Sequence, residues 1–348
     1  MRINLTKIAI ISIATLTSCD LLNPKPETSR IYEDGYFVTN EGNFGQANGS
    51  ISFVNKAGVV ENDVFAITNS FPLGDVVQSM SIIDNKSYIL VNGSGKIEVT
   101  DIDSMTSITT IDVSGPRYIA KVDNSKAYVT DWGINGVYVI DLNTNEIIST
   151  ISTGTGPEAI AVSDGYAFIC NIGGWGLDNT VSVIDISSDA VISNLEVGEK
   201  PNSAVVDING DVWVLTGGYT EYDAYWNVVS ETSGNLVKIS NNSIVSTFTF
   251  SVGNHPENLV INKDGNTLYY SDGSWSKAVF SFNISDTSLS NNPLINKNFY
   301  GLASDENYIY GSDAVDFSQN GWSFKYNSEG ILIDSVQVGI IPGGYCFN

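Results

Sequence analysis

The chain has 348 residues, 42% of them hydrophobic and only 16% charged, with 32 glycines and 17 tyrosines. That mix suits many short strands and tight turns and argues against disorder. Asp and Glu outnumber Lys and Arg by 39 to 16, and the net charge of −23 argues against a nucleic-acid partner and suits solubility outside a cell.

Arg2 and Lys7 flank the start of an apolar stretch at residues 8–16, too short to span a bilayer. The stretch ends in Leu16-Thr17-Ser18-Cys19, which has the form of a bacterial lipobox. Residues 1–18 are therefore expected to be a signal peptide and Cys19 the lipidated residue. Cleavage without lipidation is the alternative. Residues 19–34 carry two prolines and few apolar side chains, so they are expected to form a flexible tether. Cys170 and Cys346 are expected to be buried free thiols.

From Ser50 onward one pattern recurs seven times, a short alternating strand that ends in a small polar residue. The copies are Ser50-Ile-Ser-Phe-Val-Asn55, Lys96-Ile-Glu-Val-Thr-Asp101, Gly136-Val-Tyr-Val-Ile-Asp141, Thr180-Val-Ser-Val-Ile-Asp185, Asn235-Leu-Val-Lys-Ile-Ser240, Ala278-Val-Phe-Ser-Phe-Asn283 and Trp322-Ser-Phe-Lys-Tyr-Asn327. Their last residues are 46, 40, 44, 55, 43 and 44 positions apart. A strand-built period of this size predicts propeller blades. A nearly continuous apolar run precedes each copy, as in Ala127-Tyr-Val-Thr-Asp131, and predicts a strand covered on both faces. An earlier strand starts near Pro116, Pro157, Pro201 and Pro256, where the missing N–H does least harm. An outer strand follows each copy, irregular between Asn283 and Tyr300.

The C-terminal Pro342-Gly-Gly-Tyr-Cys-Phe-Asn348 reads as a first strand with nothing after it, and Tyr36 begins a second strand with none before it. Joining them closes the ring and removes its open edges. The expected fold is an all-β, seven-bladed β-propeller of four-stranded blades over residues 35–348.

Phe37-Val-Thr-Asn40, Tyr128-Val-Thr-Asp131 and the Val-X-Val-Ile-Asp strands resemble the YVTN (YncE-like) seven-bladed propellers across residues 35–348. The lipobox, the tether and Gly35-Tyr-Phe-Val-Thr-Asn-Glu-Gly-Asn-Phe-Gly45 also resemble a group of Bacteroidota lipoproteins, the BtuG-type surface cobalamin-binding proteins. That resemblance implies an outer-membrane, surface-exposed lipoprotein. It would capture a cobalamin-like corrinoid, or another large nutrient, and pass it to a TonB-dependent transporter. It implies no enzymatic activity and no cofactor.

The residues themselves point to one loop face. Loops between second and third strands carry Asn43, Phe44, Trp132, Trp175, Tyr219, Trp226 and Trp275. Large rigid aromatics at one rim suit a flat, polar-edged ligand such as a corrinoid, or a sugar face. They could equally pack on neighbouring loops and close the mouth. Loops that lead into the first strands carry Gln78, Arg117, Tyr118, Glu158, Asn202, Glu257, Tyr300 and Tyr345. These could read ligand amides and hydroxyls, hold calcium, or simply line a watery channel. The expected ligand-binding set is Asn43, Phe44, Arg117, Trp132, Glu158, Trp175, Asn202, Tyr219, Trp226, Glu257 and Trp275. Residues 216–231 are the one clear insertion and read as a flap or a docking surface. The lone histidine, His255, cannot build a transition-metal site by itself. No nucleophile elbow or phosphate loop is present. The alternatives to nutrient capture are a docking module without a small ligand and a calcium-dependent propeller lactonase or lyase using acids such as Asp131, Glu158, Glu257 and Asp272.

Overall fold

In the computed structural model, residues 32–273 and 278–348 are described. The expected signal peptide, Cys19 and most of the tether lie outside them, as does Trp275.

Seven antiparallel sheets form the blades of the described residues, and an eighth, two-stranded sheet stands apart from them. Blade 1 takes its inner strand, Pro342–Phe347, from the C-terminus and adds Gly35–Asn40, Ser50–Asn55 and the short Val60–Glu61. Blade 2 spans Val77–Ile83, Lys86–Val91, Lys96–Asp101 and Ser107–Asp112. Blade 3 spans Pro116–Lys121, Lys126–Asp131, Gly136–Asp141 and Glu146–Ser152. Blade 4 spans Pro157–Ser163, Tyr166–Asn171, Thr180–Asp185 and Ala190–Glu196. Blade 5 spans Pro201–Val206, Val212–Thr216, Asn235–Ser240 and Ser243–Thr249. Blade 6 has Glu257–Ile261, Thr267–Ser271 and Val279–Asn283. Blade 7 has Leu302–Ser304, Tyr308–Asp313, Asn320–Asn327 and Leu332–Ile340. Each inner strand touches the inner strands of both neighbouring blades, and the seven close a ring around a central axis.

This is the expected seven-bladed propeller, with the expected closure. Tyr36 pairs with Phe347 and Val38 with Tyr345, so neither chain end leaves an inner sheet edge open. Blade 6 departs from four strands. Its outer position is held by a single bridge between Val279 and Ile295, because the polar run Ser288-Leu-Ser-Asn-Asn292 lacks the alternation an outer strand needs.

Burial explains the sequence patterns. Second strands are sandwiched between neighbouring blades, so Val212–Thr216 is buried at every position. Outer strands face water on one side, and Ala190–Glu196 alternates accordingly. Trp213 is a core residue, with its indole N–H donating to Asp207 at 2.9 Å. Neighbouring blades are also pinned by polar contacts. Lys126 and Tyr128 of blade 3 both reach Asp189 of blade 4, and Tyr88 of blade 2 donates to Asn145 of blade 3 at 2.9 Å. Cys170 and Cys346 are buried free thiols in separate core clusters. Burial pushes both up, Cys346 to about 12.

Candidate functional site

At one end of the ring the inner strands change register. The shift falls between Val77 and Ser79, Pro116 and Ile119, Pro157 and Ile160, Pro201 and Ser203, and Glu257 and Val260, and opposite Thr39 and Asn40 in blade 1. A bulge lifts a residue out of the ladder and re-aims its side chain. The residues so freed include Gln78, Arg117, Tyr118, Glu158, Asn202 and Asn258, and all of them line one funnel of ≈ 1510 Å³.

Arg117 is the only arginine in residues 32–348. Its Nε and Nη2 donate to Glu158 Oε2 and Oε1 at 2.9 and 2.8 Å, a two-pronged pair. The side chains are only 16% and 7% exposed. The guanidinium also lies 4.3 Å from the centre of the Trp132 ring. Burial works against the Arg117 charge, but Glu158 more than offsets it, and the guanidinium is held above its ordinary pKa. Nearby, Tyr300 donates its hydroxyl to Glu41 Oε1 at 3.0 Å. Burial raises the Glu41 carboxyl, while Tyr300 and the Arg117 charge pull it back. Burial and the Glu41 charge push Tyr300 up, and burial raises Tyr118, beside Glu158, to about 12.

The aromatic rim is held by loop geometry. Asp131 caps the loop that carries Trp132, accepting from the backbone N–H of Ser114, Gly115 and Gly133 at 3.1, 2.7 and 2.8 Å. Asp178 does the same in the next blade, where Thr155 N donates to it at 2.8 Å. Gly156 has φ +58°, and a Cβ there would lie 2.0 Å from Gly174 N, so this crossing needs glycine. It sets the Trp175 loop against Trp132, whose rings meet edge to face at 6.1 Å. Trp175 is fully exposed and Phe44 is 85% exposed.

Of the expected binding residues, the funnel gathers Phe44, Arg117, Trp132, Glu158, Trp175, Asn202 and Glu257. Three others stand outside that lining. The Asn43 side chain is taken up by loop contacts, its Nδ2 donating to Phe317 O of the blade 7 loop at 2.6 Å and its Oδ1 accepting from Asn48 Nδ2 at 3.3 Å. Tyr219 and Trp226 are not among the lining residues. They belong to the blade 5 insertion, which folds as a separate hairpin, Thr220–Tyr222 against Val228–Glu231. Trp226 is 82% exposed there and its ring meets Tyr222, ring centres 6.0 Å apart. His255 ties down the hairpin base, with Nδ1 2.8 Å from Gly217 O and Nε2 2.9 Å from Thr220 Oγ1. Asp131 is likewise structural. Glu41 was not foreseen; its only signal was its place directly after Asn40 in the Asn-Glu-Gly turn. Among the described residues, no group of His, Cys, Asp and Glu is clustered to hold a metal ion.

Residues 34–338 match a family described as Domain of unknown function (DUF5074). The chain belongs to that family. None of the curated proteins matches it in sequence. Among solved structures, it is similar to a quinonprotein alcohol dehydrogenase-like protein from Bacteroides thetaiotaomicron, with 15% identity over 91% of this chain and 79% of that one and a TM-score of 0.66. It is also similar to a periplasmic gluconolactonase from Pseudomonas aeruginosa, with 12% identity, 89% and 98% coverage and a TM-score of 0.62. A functionally unknown protein from Desulfotomaculum acetoxidans matches with 16% identity, 90% and 99% coverage and a TM-score of 0.62. At these identities the likeness is one of fold.

Proposed function

We propose that this DUF5074 propeller is a non-enzymatic capture protein whose funnel takes up one large, flat, polar-edged nutrient. The observation that carries the reading is the funnel itself, ≈ 1510 Å³ with Phe44, Trp132 and Trp175 at its rim and Arg117, Glu158 and Glu41 within. Sites for drug-sized ligands run to roughly 300–1000 Å³, so this volume suits a bigger guest. The wet aromatic rim supplies stacking area, and the bulged inner strands supply polar groups for the guest's edge. The specific guest we favour is a cobalamin-like corrinoid, on the resemblance of residues 35–45 to surface corrinoid-binding lipoproteins. On the same grounds we propose lipidation at Cys19, display on the outer membrane, and hand-off to a TonB-dependent transporter.

Two observations favour binding over lactone hydrolysis. Asp131 is taken up by loop N–H groups, and Glu158 is locked to Arg117. Neither is placed as a free acid or base.

The test uses soluble protein starting at Asp20, run with cyanocobalamin on a sizing column. Co-elution of one corrinoid per protein supports capture. The Trp132→Ala/Trp175→Ala protein should stay folded and lose most of that binding, and unchanged affinity would refute the site. No co-elution at micromolar ligand removes the corrinoid. Turnover of a sugar lactone that stops with chelator would replace capture with the calcium-dependent enzyme.

A further inference from the structure

The neck of the funnel has its own recognition chemistry. Arg117 gives Nε–H and one Nη2–H to Glu158, and its other N–H groups meet no acceptor among the described residues. Trp132 on one side and Glu158 on the other hold the guanidinium plane in place. Those remaining donors are therefore fixed in direction, and their positive charge is already balanced. Glu41 shows the complementary state. Its Oε1 accepts from Tyr300, and its Oε2 has no donor among the described residues. Both Arg117 and Glu41 line the same cavity, and the Arg117 charge is felt at Glu41. Gly343 leaves the space for this arrangement, since a Cβ there would stand 2.9 Å from Glu41 Oε1.

We propose that the neck between Arg117 and Glu41 binds an uncharged carboxamide on the ligand's edge. The carboxamide oxygen accepts from Arg117, and its NH₂ donates to Glu41. This deepens the capture reading and rests on the funnel being the ligand site. A carboxylate would satisfy Arg117 but bring a third negative charge beside Glu41 and Glu158. An ammonium would satisfy Glu41 but face Arg117. A hydroxyl carries its acceptor and its donor on one oxygen, whereas a carboxamide carries them on two atoms of one plane and can meet Arg117 and Glu41 together. Unpaired polar groups in such a neck penalise the wrong headgroup more than extra contacts reward the right one.

The test compares four flat probes that differ only in headgroup: benzamide, benzoate, benzylammonium and benzyl alcohol. Binding to the soluble protein is read by ligand-observed NMR, and assigned to the funnel by its loss in Trp132→Ala/Trp175→Ala. Benzamide should bind at least about tenfold more tightly than each of the others. Glu41→Gln, which keeps shape and folding, should cut the benzamide-to-benzoate ratio about tenfold. Benzoate or benzyl alcohol binding as well as benzamide overturns the proposal. So does an unchanged ratio in Glu41→Gln, or the absence of any probe binding up to the solubility limit. None of these probes carries a corrin ring, so a failure of cyanocobalamin to bind is a separate result.

Discussion

The Arg117–Glu158 pair gives the sharpest test of how the funnel is held. Glu158→Met removes both acceptors, at 2.9 and 2.8 Å, from a guanidinium that is only 16% exposed. Removing one partner of a buried pair costs about 3–5 kcal/mol, because the other charge is left stranded. Here Arg117 lines an open cavity and Glu41 supplies a second negative charge, which lowers the expected cost to about 2–3 kcal/mol. Arg117→Met strands Glu158 instead and should cost a similar amount. The double variant Arg117→Met/Glu158→Met strands neither charge and fills the space with apolar groups. It should lose about 1 kcal/mol or less, so the two positions couple by at least about 3 kcal/mol. Urea is the denaturant of choice, since guanidinium chloride would screen the charges being measured. Additivity of the single variants to within about 0.5 kcal/mol would show that water, not Glu158, solvates Arg117, and the reasoning would fail.

Three further outcomes are expected. Glu41 has a folded-state pKa raised above the ordinary 4.5, chiefly by burial. Its contribution is complete below the unfolded value and is lost as pH rises through the raised one, so charged Glu41 burdens the fold at neutral pH. Glu41→Gln should therefore melt higher than the parent at pH 7, with the gap closing at or below pH 4.5; a gap independent of pH contradicts the burial argument. Gly343→Ala should displace the flexible Glu41 side chain, the nearest obstacle at 2.9 Å, at little cost in melting temperature but with about tenfold weaker corrinoid binding. Tyr225→Ala/Trp226→Ala removes rings that are 85% and 82% exposed, so melting temperature and funnel binding should both hold; a large drop in funnel binding would make the hairpin a lid.

The fold was legible because blade geometry writes itself into sequence at a few fixed places. The third strands Ser50–Asn55, Gly136–Asp141 and Thr180–Asp185 end where the repeat ends. The reason is local: Asn55, Asp141 and Asp185 accept backbone N–H groups just beyond them and close the next turn. The site was legible only in part. Aromatic composition picked out Trp132 and Trp175 and also Tyr219 and Trp226, because composition carries no direction. A stretch of this length can pair with itself, and Thr220–Tyr222 with Val228–Glu231 does so. Glu41 was missed for the converse reason. Its sequence context is an ordinary Asn-Glu-Gly turn, and its role depends on Tyr300, which lies 259 positions away.

The same backbone irregularity recurs around the funnel, and the side chain it re-aims changes from blade to blade. Blade 3 presents Arg117, blade 4 Glu158 and blade 5 Asn202 at their register shifts. Because blades 3 and 4 are neighbours, the cation and the anion meet and hold each other. Blade 1 presents Gly343 at its own shift, and the vacancy admits Glu41 from the following loop and Tyr300 from blade 7. A ring that is sevenfold in its backbone thus becomes one-sided in its chemistry. A symmetric ring of like groups would suit a single ion on the axis. A one-sided neck, with paired charges, open donors and an open acceptor, suits an extended guest held in one orientation. Fixed orientation is also what the proposed capture role requires, since one edge of the guest would stay engaged while the other faced outward.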